Sequence, residues 1–564
     1  MHRSLVLAFV LSLLGACGDD TATSGSTGAG GAGAAGAGGT GGVGGSGGTG
    51  GAAVDPKQAC VDLDLPSMDF VDDDAGADRG DIAGDFDLTL LDGTQWNFRQ
   101  SYSGCDTYVF LPDTLVVSDL DDTSLWEEKD FDELLEQSPL NVHYFFVSRN
   151  SSEVGATAAL EAVSAKIASE IADLDEAGRA HWTPRFHVVA DRADAIEGWL
   201  GDVIGSGVGR IGLAIDRTQR IRGVGFLSDV NRYRSTLADA MVWPFESNLS
   251  YAAHEPRYHN AQFDLTTRLA AEDATVVSLY EGEVIEEFDE KDVDLPDAAT
   301  MATFDTFEIE IESLCPDAGA LEFGNCGAWD SLAKLSVYEG EAPLEFARFI
   351  TSYHRETRWV VDASPLLPLL AGGGTRRFRW DFAPSWNTQP TATRLSLRFS
   401  DQGKPTKPKT ATPLWTGGVF DSMYNTTRMP HVSTVPANTT RVEFLAIITG
   451  HGAGTNQCAE FCNHQHRIDA NGTSMMKDFP EASTEEGCIA QIDSLMVPNQ
   501  GGTWWFGRGG WCPGQQVTPW VVDLTDAAAP TEELTLVYEG LFGGNTPPDG
   551  AGDIQLASYL VTYE

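Results

Sequence analysis

The sequence has few basic residues for its size. Lys and Arg together number 36 against 83 Asp and Glu in 564 residues, which gives a formal net charge of −47. A protein that binds nucleic acid must neutralise phosphates with Lys and Arg, so the composition argues against nucleic acid as a partner. The acidic residues are spread along the chain and therefore mark no particular site; they favour solubility.

The start of the chain lacks an apolar run long enough for a mature transmembrane helix, since Leu5–Leu14 is too short to cross a bilayer. Residues 1–17 are instead predicted to be a signal peptide that ends in a lipobox, with Cys17 as the lipidated residue. An ordinary signal peptide with a chance cysteine is the alternative. Residues 18–58 are mostly Gly, Ala, Ser and Thr and predict a flexible tether. We expect an exported protein, anchored to the bacterial outer membrane by lipid alone.

Cysteine is sparse, and the short loops lack the paired CxxC spacing of zinc sites. The chain has nine cysteines, and removal of Cys17 leaves an even number in an oxidising compartment, which favours disulfides. Eight cysteines allow about a hundred pairings. Proximity in the sequence favours four of them: Cys60–Cys105, Cys315–Cys326, Cys458–Cys462 and Cys488–Cys512.

Residues 59–250 alternate strand-like and helix-like stretches, which indicates a sheet with packed helices. Leu160, Val163, Ile167 and Ile171, for example, fall at helical spacing. The segments GDFDLTLLDGTQWNFRQ and GLAIDRTQRIRGVG resemble the thioredoxin and peroxiredoxin superfamily. Such enzymes need a reactive thiolate, often in CxxC, whereas this stretch offers Cys105 without a resolving neighbour. We therefore predict a thioredoxin-like α/β domain that is not redox-active.

From residue 272 onwards the pattern changes to short alternating strands broken by Gly, Pro and Asn, which is typical of β-sandwiches. The length is too great for one sandwich. We predict two, at residues 272–411 and 412–564, with a boundary near Thr412.

Three motifs in this β-rich half share an order and spacing with a known family. They are CPDAGALEFGNCGAWDSLAKL followed by RFITSY, then ITGHGAGTNQCAEFCNHQHRIDANG, and finally WWFGRGGWCPG. Together they resemble the peptide-N-glycosidase F family over about residues 272–564. The resemblance implies two consecutive antiparallel jelly rolls with a site at their interface. It also implies disulfides at the positions of Cys315–Cys326, Cys458–Cys462 and Cys488–Cys512, which leaves Cys60 with Cys105.

The activity that the resemblance implies is hydrolysis of the GlcNAc–asparagine amide bond of N-glycoproteins or glycopeptides, by a monomer and without a cofactor. Asp330 and Glu460 match the catalytic carboxylates of the family. Burial in a partly dry cleft raises a carboxyl pKa towards the working pH, and the tight CAEFC loop would fix the direction of Glu460. Predicted substrate-binding residues are Trp329, Asp381, Trp386, Arg508 and Trp511, and Trp504 and Trp505 are further candidates for a sugar-stacking groove.

Two departures from the family put glycan recognition in question. The family has an arginine after its catalytic aspartate, where this chain has Ser331, and no glutamate aligns near Asp381 in FRWDFAPSW. A non-catalytic glycan- or peptide-binding lipoprotein on the same scaffold is therefore one alternative.

A second alternative is a copper-binding, monooxygenase-like protein. His464 and His466 are spaced by two, so that both would project from one face of a strand, and His451 in the GHG segment is a candidate third ligand. His-x-His on a strand is a common arrangement of metal ligands. Met423, Met475 or Met476 could add a thioether ligand. The alternative to a copper site is that these are surface or hydrogen-bonded histidines that bind no metal.

Overall fold

The computed structural model describes residues 55–72, 75–113, 125–127, 131–205, 212–233, 245–452 and 458–564. The predicted signal peptide, the lipidation site at Cys17 and nearly all of the predicted tether lie outside these residues and stay predictions. Within the described ranges, no helix combines the length and apolar character needed to cross a membrane.

The first part of the described chain is a mixed α/β domain. Strands β5, β6 and β7 run parallel, and β8 and β9 add antiparallel strands on the other side, in the order β7–β6–β5–β8–β9. The elements, in chain order, are α1 (Gln58–Asp62), β1 (Ala75–Gly76), β2 (Ile82–Ala83), β3 (Asp87–Thr89), β4 (Gln95–Asn97), α2 (Phe98–Ser101), β5 (Thr107–Pro112), α3 (Phe131–Gln137), β6 (Val142–Val147), α4 (Glu153–Asp173), α5 (Glu176–Trp182), β7 (Phe186–Val188), α6 (Trp199–Gly205), β8 (Leu213–Ile215), β9 (Ile221–Gly223), β10 (Ser228–Tyr233), β11 (Phe245–Ser247) and α7 (His254–Ala271).

Helix α4 forms where the apolar spacing predicted a helix. The Ser152 side chain accepts a hydrogen bond from the Gly155 N–H at its N-terminus, and the periodic apolar residues face the core. Tyr258 of α7 packs into the same core, which Tyr353 and Trp504 of the later segments also enter, and the domain limit at residue 250 stays a prediction. Cys105 is bonded to Cys60, but a thioredoxin-like identity for this domain stays a prediction.

The next eight strands form two antiparallel sheets that face each other. Their orders, β12–β19–β14–β17 and β13–β18–β15–β16, are those of a jelly roll. The elements are β12 (Ala274–Ile285), β13 (Phe288–Asp297), α8 (Ala298–Met301), β14 (Thr306–Leu314), β15 (Leu332–Glu339), β16 (Ala342–Ile350), β17 (Thr357–Asp362), β18 (Gly373–Asp381) and β19 (Thr391–Ser400).

The last eight strands repeat the same topology, with sheets β20–β27–β22–β25 and β21–β26–β23–β24. The boundary predicted near Thr412 falls inside the first of them, so the chain changes rolls at the connection between Ser400 and Pro408. A strand that pairs along its whole length with one partner cannot be divided between two sheets. The elements are β20 (Pro408–Val419), β21 (His431–Thr434), β22 (Arg441–His451), α9 (Cys458–Phe461), β23 (His464–Ala470), β24 (Thr473–Lys477), β25 (Trp520–Asp523), β26 (Glu533–Phe542) and β27 (Asp553–Tyr563).

The hydrophobic core of the first roll continues into the second roll, which also has a core of its own. Leu445, Ile447 and Tyr559 of the second roll pack in the same cluster as Phe349 and Trp359 of the first. Polar contacts fix the relative position of the rolls: the buried Arg348 guanidinium donates to Thr449 Oγ1 at 2.8 Å and to the Gln555 carbonyl at 2.8 Å. The interface therefore holds side chains of the two rolls in a fixed relative position.

The α/β domain is joined to both rolls through the Glu255 carboxylate, which is fully buried. Arg355 of the first roll donates to it from Nη1 at 2.9 Å and from Nη2 at 3.1 Å. Asn499 of the second roll donates to its Oε1 at 2.7 Å. A buried bidentate ion pair of this kind holds a fixed geometry, so the three domains form one body.

Glu255→Ala should lower the free energy of unfolding by about 3–5 kcal/mol, because it removes the bidentate partner of the buried Arg355, which then keeps the contact of its Nε atom with Glu322 at 3.0 Å. The matched control is Asp493→Ala, which removes the carboxylate partner of Arg257 on the same helix. Since the Asp493 side chain is 66% exposed, that loss should be at most about 1 kcal/mol. Thermal unfolding of both variants measures the difference, and equal effects would contradict a buried anchor.

Candidate active site

Asp330 lies on the loop that leads into β15, directly after the Cys315–Cys326 disulfide. Thr351 on the neighbouring chain segment holds this loop: its hydroxyl accepts a hydrogen bond from Ser331 N–H at 2.7 Å and donates one to the Trp329 carbonyl. The Asp330 side chain is 18% exposed. The backbone around Asp330 is therefore held in place, while its side chain is partly exposed to solvent.

Glu460 lies in the one-turn helix α9, which the Cys458–Cys462 disulfide closes. Its carboxylate Oε2 accepts a hydrogen bond from Gly452 N–H at 3.0 Å, and its main-chain carbonyl accepts one from Gly509 N–H at 2.6 Å. Burial raises the pKa of Glu460 to about 7, with the negative charge of Asp330 adding to the rise and Arg508 opposing it. A carboxyl group with this pKa can give or take a proton near neutral pH.

Arg508 connects the two carboxylates. Its Nη2 atom lies 3.4 Å from Asp330 Oδ2, and its Nε atom lies 3.5 Å from Glu460 Oε1. The guanidinium is almost fully buried, and the Trp511 ring lies 4.8 Å from it. Burial by itself would lower the pKa of Arg508, but Tyr353 and the two carboxylates raise it, so this group keeps its positive charge.

Tyr353 is a member of this cluster that sequence reasoning did not single out. Its hydroxyl lies 3.5 Å from Arg508 Nη2. Burial and the nearby charge of Asp330 raise the pKa of Tyr353 well above its usual value, so it remains a neutral hydroxyl. The available signal was its position at the end of RFITSY, a motif already noted for its resemblance to the family.

The predicted substrate-binding residues fall into three groups. Trp386 is 82% exposed and Trp329 42% exposed, and their loops meet where Ala328 N–H donates to Gln389 Oε1 at 2.5 Å. Trp511 is buried beside Arg508. Asp381 is paired with Arg379, from which it receives hydrogen bonds.

Two further indoles do not line a groove. Trp504 and Trp505, considered as sugar-stacking candidates, are buried and pack in the core that the α/β domain shares with the second roll. Tyr251 and His254 of the α/β domain contact Trp504 edge-on. Their role is therefore to support the segment that carries Arg508.

The three histidines proposed as copper ligands are not gathered around one point. His464 Nδ1 and His466 Nε2 are 2.8 Å apart and hydrogen-bond to each other. His451 instead stacks on Trp511 and hydrogen-bonds to Thr449. Across the described ranges, the one group of three potential ligands is Cys315, Cys326 and Glu356, and its two sulfurs form a disulfide. His451, His464 and His466 are therefore not arranged as one set of three ligands.

The fold and the cluster define a protein of two jelly rolls with paired carboxylates around an arginine at the roll interface. Residues 420–561 match the family model described as "Peptide-N-glycosidase F, C terminal". Peptide-N(4)-(N-acetyl-beta-D-glucosaminyl)asparagine amidase F of Elizabethkingia miricola is 23% identical in an alignment over 283 residues that covers 47% of this chain and 75% of that protein. By sequence, the C-terminal half of the chain is thus related to the peptide-N-glycosidase F family, as the motifs predicted.

Solved structures of such amidases also match. A crystal structure of peptide-N(4)-(N-acetyl-beta-D-glucosaminyl) asparagine amidase matches with 17% identity and a TM-score of 0.42, over 52% of this chain and 96% of that one. A structure of PNGase F described as a glycosylasparaginase from Flavobacterium meningosepticum matches with 17% identity and a TM-score of 0.40, over the same shares of the two chains.

The raised pKa of Glu460 makes a prediction for stability. Its pKa is about 7 in the folded protein and about 4.3 in an unfolded chain, so the folded state binds this proton more tightly. Ionisation therefore reduces stability as the pH rises through the window between these two values. Glu460→Gln has no proton to lose, so its melting temperature relative to wild type should increase from pH 4 to pH 8.

The matched control for that measurement is Glu485→Gln, which changes an exposed glutamate of the same roll. Its melting temperature relative to wild type should not vary with pH. If the Glu460→Gln difference is equally flat, the carboxyl group is not held in a desolvated state.

Proposed function

We propose that this protein hydrolyses the bond between GlcNAc and asparagine in N-glycoproteins or glycopeptides. The observation that carries the proposal is that Asp330 from the first roll and Glu460 from the second both reach the Arg508 guanidinium, at 3.4 and 3.5 Å. The relationship to an amidase in the C-terminal half supports a hydrolase of this class.

The three charged groups can divide the work of amide hydrolysis. Asp330, partly exposed to solvent, would accept a proton from the attacking water, whose oxygen bonds to the amide carbonyl carbon. Arg508 would stabilise the negative charge that develops on the carbonyl oxygen. Glu460, poised to carry a proton near neutral pH, would give it to the departing nitrogen as the C–N bond breaks. The products would be a glycosylamine and an aspartate, with no cofactor required.

The exposed indoles would bind the sugar. Trp329 precedes Asp330 directly, and Trp386 projects from a loop that is hydrogen-bonded to the same segment. Aromatic faces of this kind bury the apolar faces of sugar rings, which would place the glycan beside the carboxylates. Asp381 and Trp511 stay predictions for this role, because one is paired with Arg379 and the other is buried.

The N-terminal part of the chain would present this enzyme at the cell envelope. We propose that lipidation of Cys17 and the Gly-rich tether hold a monomer at the outer membrane. The α/β domain would be thioredoxin-like, as its mixed five-stranded sheet supports, and would serve as a support for the rolls, since Cys105 is in a disulfide.

Asp330→Asn should lower kcat/KM on a denatured N-glycoprotein by about 10²- to 10⁴-fold, the usual contribution of a general base. Mobility shift on a gel, with mass spectrometry of the asparagine-to-aspartate change, reports the reaction. Asp401→Asn, at an exposed aspartate of the first roll, is the control and should match wild type. Binding of glycopeptide by the wild-type protein without glycan release would instead favour the non-catalytic alternative.

Trp386→Ala should raise KM for a glycopeptide by about 10-fold and leave kcat nearly unchanged, as expected when binding outside the reacting bond is lost. Because the side chain is 82% exposed, the melting temperature should not change. Met429→Ala, which removes a 73% exposed side chain from the second roll, provides the comparison. A fall in kcat with unchanged KM would contradict a sugar platform.

A further inference from the structure

The buried histidines of β23 have no role in the proposed chemistry. His464 and His466 lie on the inward face of this strand, and both are fully buried. They belong to a continuous chain of hydrogen bonds: His466 Nδ1 lies 2.6 Å from the Tyr538 hydroxyl, and that hydroxyl lies 3.3 Å from the hydroxyl of Tyr424. A buried chain of polar groups costs free energy unless each member has its hydrogen-bond partners. The contacts at the end of this chain are therefore important.

The hydrogen bonds can all point one way. If the Tyr538 hydroxyl donates to His466 Nδ1, then His466 donates from Nε2 to His464 Nδ1, and His464 carries its remaining proton on Nε2. Burial lowers the pKa of His464 to about 4 and that of His466 well below its usual value, so both rings are neutral. The chain therefore delivers one N–H donor at His464 Nε2.

That nitrogen lies where three active-site segments meet. A Cβ atom on Gly450 would come within 1.7 Å of the Ala459 carbonyl oxygen and 2.5 Å of His464 Nε2, and one on Gly509 within 2.5 Å and 2.4 Å of the same two atoms. Nε2 has no hydrogen-bond partner of good geometry, but it faces the Ala459 carbonyl. Ala459 precedes Glu460, and Gly509 follows Arg508.

The same segments are tied together by their own backbone. Gly450 N–H donates to the Gly509 carbonyl at 2.8 Å, and Gly509 N–H donates to the Glu460 carbonyl at 2.6 Å. A shift of the imidazole edge would therefore disturb the contact between the Glu460 segment and the Arg508 segment. Glycine at both positions allows the backbone to approach the ring this closely.

We propose that His464, oriented by His466 and Tyr538, is a positioning residue that sets the separation of Glu460 and Arg508. It acts through the backbone of Ala459 and Gly509 and does not touch the substrate. The expected effect on kcat rests on the proposed amidase function, whereas the expected effect on the position of the backbone does not.

The kinetic test compares three variants in the full chain. His464→Leu should lower kcat on a glycopeptide by about 10- to 100-fold with little change in KM, because small displacements of catalytic groups carry penalties of this order. His464→Gln should recover part of the loss, since the Gln amide can still donate towards Ala459. Tyr538→Phe, which removes one hydroxyl remote from the site, should also lower kcat.

The matched control is Ile468→Val. Ile468 faces inward on the same strand as His464 and His466, and the shorter side chain leaves a small cavity. It should lower the melting temperature and leave kcat unchanged. Equal kcat losses in Ile468→Val and Tyr538→Phe, or wild-type kcat in His464→Leu, would overturn the proposal.

Amide hydrogen exchange tests the positioning without any reliance on activity. The peptide that contains Gly509, whose N–H is bonded to Glu460, should exchange faster in His464→Leu and Tyr538→Phe than in Ile468→Val. Unchanged exchange overturns the positioning role even if the enzyme is active. Faster exchange in a protein whose wild type releases no glycan supports the positioning role while the proposed amidase function fails.

Discussion

The buried guanidinium of Arg508 is the constraint on which the rest of the site depends. A positive charge removed from water is tolerated only when opposite charges and hydrogen-bond acceptors surround it. Here the compensating carboxylates come from different domains, Asp330 from the first roll and Glu460 from the second. The two rolls must therefore stay in register to keep Arg508 satisfied, and the requirement for charge compensation fixes the geometry that the proposed chemistry needs.

The α/β domain helps to hold Arg508 in place, because it packs against the segment that carries this residue. The segment WWFGRGGWCPG buries Trp504 and Trp505 against the α/β domain while it presents Arg508 to the roll interface. The Cys488–Cys512 disulfide closes the same segment. Glu255 ties the domain to Arg355, two residues after Tyr353. The N-terminal domain is thus part of the structural support of the site. It can serve this purpose without a free thiol, because the support comes from packing and the buried ion pair.

The sequence predicted the elements that depend on local pattern and missed those that depend on distant partners. Alternation in β14, where Phe307, Ile309 and Ile311 are fully buried, predicted a strand, and the motifs brought Asp330 and Glu460 to one interface. Trp504 and Trp505 were considered for a groove, because nothing in their neighbours along the chain reveals that the α/β domain covers them. Tyr353 was not predicted as a site residue for the same reason: its hydroxyl contacts Arg508, which is far away in the sequence.

The asymmetry between the two carboxylates follows from their surroundings. Asp330 keeps contact with solvent, whereas Glu460 is enclosed by its disulfide loop and receives the Gly452 N–H. Burial, together with the negative charge of Asp330, makes ionisation of Glu460 harder and raises its pKa to about 7. A protonated carboxyl group at the inner side is what the proposed protonation of the leaving group requires. The raised pKa of Glu460 is therefore set by its burial and its charged neighbours and not by residue type, so an aspartate at this position should also have a raised pKa.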